Sequence, residues 1–353
     1  MSFLRERRAW LGVGISVLFL GLFLWRADLP AAGRSLTGAN YLWLPPALAV
    51  LFIGVWFRSL RWAYLMRPLG RLSAQSAFLL VIVGAMANNI LPVRAGDVVR
   101  AYLAGERCRL TKAGALTTVL AERAFDGGVL VIFLLLLGPF LGVNDFLRGL
   151  MIVAAAIFLA ALVLLYAAAA WQDRAHRLLG RLLRFVPDRW RPRAWELIGS
   201  FLSGLGALRS PRLGVLIVAS TALSWLLEAV CYYMVGIAFN LGVSFPVYLS
   251  VTAAANLALS APSSQAGIGP FEFFAKEVLV LAGVSSGAAT AYALALHTVV
   301  IIPITIAGFY SVWALGLSLA EVLGGKSQGP MPVPMERAAG PGGPGMMGGG
   351  GPQ

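Results

Sequence analysis

From Leu213 to Phe239 the chain carries one charged side chain, Glu228, in an otherwise apolar run. A helix crosses the hydrocarbon core of a bilayer with about 20 apolar residues, so this run is long enough to span it. Other runs match it: Ala9 to Trp25, Tyr41 to Phe57, Ala113 to Leu141, Gly149 to Trp171 and Ala288 to Ala320. In hydrocarbon the backbone polar groups must be satisfied internally, which leaves helices or closed barrels. Runs this long give helices. The composition agrees, at 59% hydrophobic and 12% charged, where soluble domains carry roughly a quarter charged residues. The expected fold is all-α, a polytopic membrane helix bundle. Within it Glu228 ranks below the other intramembrane charges, because a proton or a neighbouring helix satisfies a lone acid.

The formal charge of +13 comes from 28 basic against 15 acidic side chains. The arginines cluster between apolar runs, which points to topology and anionic head groups, not to nucleic acid. Arg5, Arg7 and Arg8 precede the first run, and Trp25 and Arg26 stand where a signal peptide would need small residues. That run therefore reads as a transmembrane helix with a cytoplasmic N-terminus. Arg58, Arg61, Arg67 and Arg71 follow the second run and mark a cytoplasmic face. The third run, Gln75 to Leu91, poses a conflict. If it crossed, Arg94, Arg100, Arg107, Arg109 and Lys112 would all lie outside. The conflict disappears if Gln75 to about Tyr102 is a re-entrant hairpin. The expected location is the plasma membrane, multi-pass, with both termini cytoplasmic. Two cysteines, Cys108 and Cys231, and two histidines give no disulfide framework and no metal spacing. No cofactor is expected.

The hairpin tip carries the chemistry. In AMANNILPVRAGDVVR, Ala85 to Arg100, an apolar helix meets the Leu91-Pro92 break. Proline ends or kinks a helix and pushes its predecessor out of the α region. Asn88, Asn89, Arg94, Asp97 and Arg100 then gather around the break. In a membrane such a break must face protein or a wet cavity, so a site for a polar or anionic group is expected. The alternative is an ordinary polar loop. Further on, Glu122, Arg123 and Asp126 interrupt an apolar run at helical spacing that shares one side. Intramembrane charge costs roughly 2.5–3.5 kcal/mol per residue on insertion scales, so these need partners or water. The alternative starts the helix near Phe125 and leaves the trio at the interface.

Gly142 to Arg148 reads as a short outer loop. Residues 172–212 form a basic segment, with Arg174, Arg177, Arg181 and Arg184 on one helical face and leucines on the other. That is an interfacial cytoplasmic helix on an anionic leaflet. A second broken hairpin is expected where Pro246 to Ala261 ends at Pro262, followed by Gln265, Gly267, Gly269 and Glu272. Glu272 in a first helical turn also suits the macrodipole. The last run holds His297 and Pro303, where a kink or split is expected. Residues 1–320 form one membrane-embedded domain. From 324 to 353 the chain is Gly/Pro-rich and reads as a disordered tail. The two breaks look alike: Asn, Pro, Gly, then an acid opening a helix. Opposed broken hairpins in two halves are the pointer to an inverted repeat around a midplane site. Chance likeness between two Pro/Gly breaks is the competing explanation.

At these residues the chain resembles a known family. NxLPxRxGDxxR at Asn89 to Arg100 is similar to the signature of the lysylphosphatidylglycerol synthase transmembrane region, or flippase-like, family. The Glu122-Arg123 pair, PxxxxGxGxxE from Pro262 to Glu272, and Pro303 with Gly308 resemble its later motifs. The resemblance runs from about Leu11 to Leu319. Two departures stand out. Ser263, Ser264 and Gln265 replace a glycine-richer stretch, and His297 stands where that family often has arginine. The resemblance implies a protein that binds a lipid or moves it between leaflets. In longer relatives a separate soluble domain makes an aminoacylated lipid. These 353 residues hold no such domain, so transferase activity is not expected.

Three functions compete. In the first, an anionic lipid, either a phospholipid or a polyprenyl phosphate, is bound and translocated. Arg94, Arg100 and Arg123 hold its phosphate, since guanidinium matches phosphate oxygens bidentately. Asp97, Glu122 and Asp126 are their partners or proton sites, and Asn88, Asn89 and Gln265 add neutral hydrogen bonds. Glu272 and His297 complete the expected set. In the second, a glycosyltransferase-like enzyme uses Asp97 or Glu122 as base on a polyprenyl-phosphate lipid. In the third, the chain is an assembly partner of another membrane protein, or of its own copies, and the charges glue helices. AEVLGGKS at Ala320 to Ser327 grazes a phosphate-loop motif, but it lacks the first glycine and the preceding strand. No ATP site is expected.

Overall fold

The computed structural model describes residues 2–25, 27–91, 95–107, 111–137, 145–185, 187–259 and 265–322. Arg94, the Pro92 and Pro262 breaks themselves and the tail from 324 lie outside these. Among the described residues every regular element is helical. Among the described residues, four helices are long and apolar enough to cross a membrane: Tyr41–Met66, Ile152–Ala170, Pro211–Ala238 and Ser286–Ala314. The all-α membrane bundle is the observed fold.

The chain opens with α1 (Ser2–Trp25). A short helix that the apolar pattern did not indicate follows, α2 (Leu29–Thr37), whose axis turns 84° from that of Val13–Trp25. Its start is written locally: the Asp28 carboxylate accepts from the Ala31 amide at 3.0 Å, and Pro30 sits in the first turn. Next, α3 runs Leu44–Met66. The expected end at Phe57 is therefore corrected. The helix carries Arg58 and Arg61 two turns further and stops only before Arg67-Pro68, where proline cannot continue it.

Two helices then fold back against each other, α4 (Ala74–Ile90) and α5 (Gly96–Arg107). Their contact needs Gly96. A Cβ there would lie 2.0 Å from the Gly84 carbonyl oxygen and 2.6 Å from the Asn88 nitrogen. Next come α6 (Lys112–Leu137) and α7 (Asp145–Ala170). Because α6 starts at Lys112, the expectation of a helix beginning near Phe125 does not hold. The basic segment forms α8 (Gln172–Leu182) and α9 (Arg191–Gly204), packed on each other. Then α10 (Pro211–Ala238) returns, and α11 (Phe245–Ala258) pairs with α12 (Pro270–Leu281). The link into α12 passes through Ala266, Gly267 and Gly269, all at positive φ. Finally α13 (Ser286–Ala314) runs unbroken through Pro303, so the expected split is absent, and α14 (Leu319–Val322) ends the described chain.

The packing pairs off. α3 lies along α10; α4 packs on α13 as α11 packs on α6; α5 meets α6 as α12 meets α13. Even the short 3₁₀ turns before α3 and α10, Tyr41–Trp43 and Gly206–Arg209, each touch the other's helix. Residues 41–137 and 206–314 thus share one packing pattern, as an internal two-fold repeat requires.

Candidate functional site

Where α3, α4, α5, α6, α10 and α11 converge lies a cavity of about 140 Å³. Its charged lining is four arginines, Arg58, Arg61, Arg100 and Arg123, and four acids, Asp97, Glu122, Asp126 and Glu228. Arg61 is its buried centre, 1% exposed. It donates to Asp126 at 2.5 Å, to Glu122 at 3.0 Å and to the Thr221 hydroxyl at 3.3 Å. Arg100 donates to the other Glu122 oxygen at 2.6 Å, and its guanidinium lies 4.6 Å from the Trp62 ring centroid. The Trp225 indole N–H donates to Asp126 at 2.8 Å. Glu122 and Asp126, one helical turn apart on α6, thus bridge α3, α5 and α10. Taking charges into a low-dielectric interior is costly unless they are well paired, and this web pairs them.

The edge of the cavity differs. Arg123 has a 41% exposed side chain and grips Asp97 through Nε at 3.0 Å and Nη2 at 2.7 Å. Asp126, three residues on along α6, is 3.8 Å away. Arg58 has a 27% exposed side chain and donates to Glu228 at 2.8 Å. Glu228 also accepts from Tyr232 and from Asn256 on α11. Asn89 donates to the Thr305 hydroxyl on α13 at 2.9 Å. Two buried polar atoms at this cavity have no partner among the described residues: the Arg58 Nε–H donor and the Asn88 Oδ1 acceptor. Buried polar groups in proteins are nearly always hydrogen-bonded, so each of these two atoms has a hydrogen bond still to make.

Of the residues picked from sequence, Asn88, Asn89, Asp97, Arg100, Glu122, Arg123 and Asp126 line this one cavity. Gln265, Glu272 and His297 do not. Glu272 accepts from the Gly269 amide at 2.8 Å, closing the first turn of α12, and meets His297 Nδ1 at 2.5 Å. His297 Nε2 faces the Ala266 carbonyl at 3.2 Å, and Phe271 stacks on the ring at 4.3 Å. This second cluster fastens the α12 break to α13. Arg58, Arg61, Glu228 and Asn256 were missed or ranked low as site residues. Arg58 and Arg61 look like a topogenic basic cluster until the helix is seen to continue through Leu65-Met66. No group of three or more acidic, histidine or cysteine residues able to hold a metal is present among the described residues.

Comparison with known proteins places this architecture. The family described as Lysylphosphatidylglycerol synthase TM region matches residues 9–308. A UPF0104 membrane protein of Methanothermobacter thermautotrophicus is 27% identical over 324 residues, covering 88% of this chain and 92% of that protein. A second UPF0104 membrane protein of that organism is 24% identical over 306 residues, covering 82% and 90%. The protein named Glycosyltransferase AglD of Haloferax volcanii is 28% identical over 346 residues. That match covers 88% of this chain and 55% of that protein.

Proposed function

Because the chain belongs to the lysylphosphatidylglycerol synthase transmembrane region family, we propose that it binds an anionic lipid in the central cavity and moves it between leaflets. The observation that carries this reading is the pair of orphaned atoms, Arg58 Nε and Asn88 Oδ1, at a cavity that holds four arginines inside an apolar bundle. The four described arginines already face four carboxylates. An incoming phosphate therefore has to take a carboxylate's place. Arg123 is the place to do so: its fork is the most exposed of the four, and Asp97 occupies it in the geometry a phosphate would use. Arg58 supplies the free donor, and Asn88 accepts from a head-group hydroxyl. Arg94 joins them on the motif alone. Arg61 and Arg100 are structural counter-charges in this scheme. The two folded-back pairs, α4–α5 and α11–α12, are re-entrant from opposite faces, and the chain sits in the plasma membrane with both termini cytoplasmic.

A second reading draws on the glycosyltransferase relative: transfer of a sugar to a polyprenyl-phosphate lipid, with Asp97 as base. One experiment separates them. Purified protein is reconstituted into liposomes with fluorescent phosphatidylglycerol, a polyprenyl phosphate or phosphatidylcholine, with and without nucleotide sugar. Movement of an anionic lipid without any sugar, and with phosphatidylcholine left behind, supports transport. A glycosylated lipid formed only with nucleotide sugar supports the enzyme. Neither outcome leaves the assembly-partner reading.

A further inference from the structure

A second lipid site is written on the outside of the bundle, away from the central cavity. Helix α7 covers its own length poorly; in Ile152–Ala170 only 6% of the span is buried. Along it runs an apolar groove of about 480 Å³, walled by Phe125 of α6, by Leu162, Leu165 and Tyr166 of α7, and by Leu208. The groove ends at Ala170 and Trp171, and the same two residues open a polar pocket of about 270 Å³. That pocket holds Arg174, Arg177 and Arg209 against one acid, Asp173. Arg209 donates to the Gln172 side chain at 3.1 Å, and Gln172 is tied to the Leu202 carbonyl at 2.8 Å, which fixes the pocket floor. Arg174 and Arg177 make no ion pair among the described residues, and Arg174 lies 5.8 Å from the Trp171 ring centroid. Trp171, 58% exposed, sits at the junction, where an interfacial tryptophan belongs.

An apolar groove that opens on a pocket whose Arg174 and Arg177 make no ion pair among the described residues fits one class of molecule. We infer that this is a resident site for a single anionic phospholipid, its acyl chain along α7 and its phosphate on Arg174 and Arg177. Charge complementarity selects the occupant. A zwitterionic lipid brings its own cation to the pocket, and a second protein copy would have to match both the groove and the excess positive charge. The site is independent of the transport reading.

The test is photo-cross-linking in nanodiscs, with phosphatidylglycerol or phosphatidylcholine carrying a diazirine on the acyl chain, mapped by peptide mass spectrometry. The expected result is labelling of residues 162–171 at least five-fold stronger with phosphatidylglycerol. Arg174→Gln with Arg177→Gln removes the preference, and Val163→Trp, at an exposed groove position, lowers labelling by both lipids. Arg123→Gln, altered at the central cavity, labels here like wild type. Equal labelling by the two lipids, or protection of 162–171 in a cross-linked dimer, overturns the inference.

Discussion

Arg61 and Arg123 look alike in sequence and differ in what they hold. Arg61 satisfies both Glu122 and Asp126 from inside the core, while Arg123 reaches Asp97 from the cavity edge. Breaking a buried pair by removing one partner costs roughly 3–5 kcal/mol, because the other charge is left stranded. Arg61→Met is therefore expected to lower the thermal midpoint of the detergent-purified protein steeply, and Arg123→Gln only slightly. Equal midpoints would mean that water, not Arg61, satisfies the two acids. The partner assignment is testable as well: Arg123→Ala combined with Asp97→Asn should recover folded yield lost in Arg123→Ala, and the combination with Asp126→Asn should not. Much of this was legible in the sequence. Charges at Glu122, Arg123 and Asp126 inside an apolar run demand partners on physical grounds, and Asp97 and Arg100 announced themselves beside a helix break. The partners were harder to read. Arg58 and Arg61 satisfy the positive-inside pattern so well that a second role leaves no trace in spacing, apart from Leu65 and Met66 carrying the helix on. Glu228 gave no hint that Arg58, 170 positions away, would meet it.

Among the elements, the α4–α5 pair is the one on which the site depends, and Gly96 sets its closeness. Gly96→Ala places a methyl against backbone atoms that cannot yield, so α4 and α5 must part. Overpacking of this kind typically costs about 1–3 kcal/mol. The expected result is a lowered thermal midpoint, against no loss for Gly21→Ala on α1, where a Cβ meets nothing within 4 Å. Topology is checked separately. Single cysteines at Arg71 and Arg107, on either side of the pair, should label from one face of the membrane; labelling from opposite faces would make α4 a span and sink the re-entrant proposal. The apolar runs revealed the long helices because burial in lipid leaves few alternatives. They did not reveal α2, whose signal is an Asp28 cap and Pro30, not hydrophobicity. At Pro303 a kink or split was expected, and the split is absent: the helix runs through it without a break. Beside it Thr305 donates to the Ile301 carbonyl at 2.8 Å and accepts from Asn89 of α4.

At the scale of the whole molecule, two halves with one packing pattern enclose unequal interiors. The first half contributes Arg58, Arg61, Asp97, Arg100, Glu122, Arg123 and Asp126 to the cavity and the second half Glu228 and Asn256; away from it, the second half holds the Glu272–His297 pair, fastened to the Ala266 carbonyl. The repeat was visible in sequence only as two similar breaks, since the pairing of helices that relates the halves is a matter of three-dimensional packing. The most exposed of the cavity's arginine forks, held by Asp97, lies in the first half, and this makes Arg123 the residue on which the functional account turns. The most direct measurement is the rate at which liposomes holding the purified protein move fluorescent phosphatidylglycerol, compared with phosphatidylcholine, for wild type, Arg123→Lys and Arg123→Gln. Lysine keeps the charge and loses the planar fork. The account predicts weak residual phosphatidylglycerol movement for Arg123→Lys, at least a ten-fold loss for Arg123→Gln, and no change in the phosphatidylcholine background. Phosphatidylglycerol movement by Arg123→Gln at the wild-type rate would contradict it.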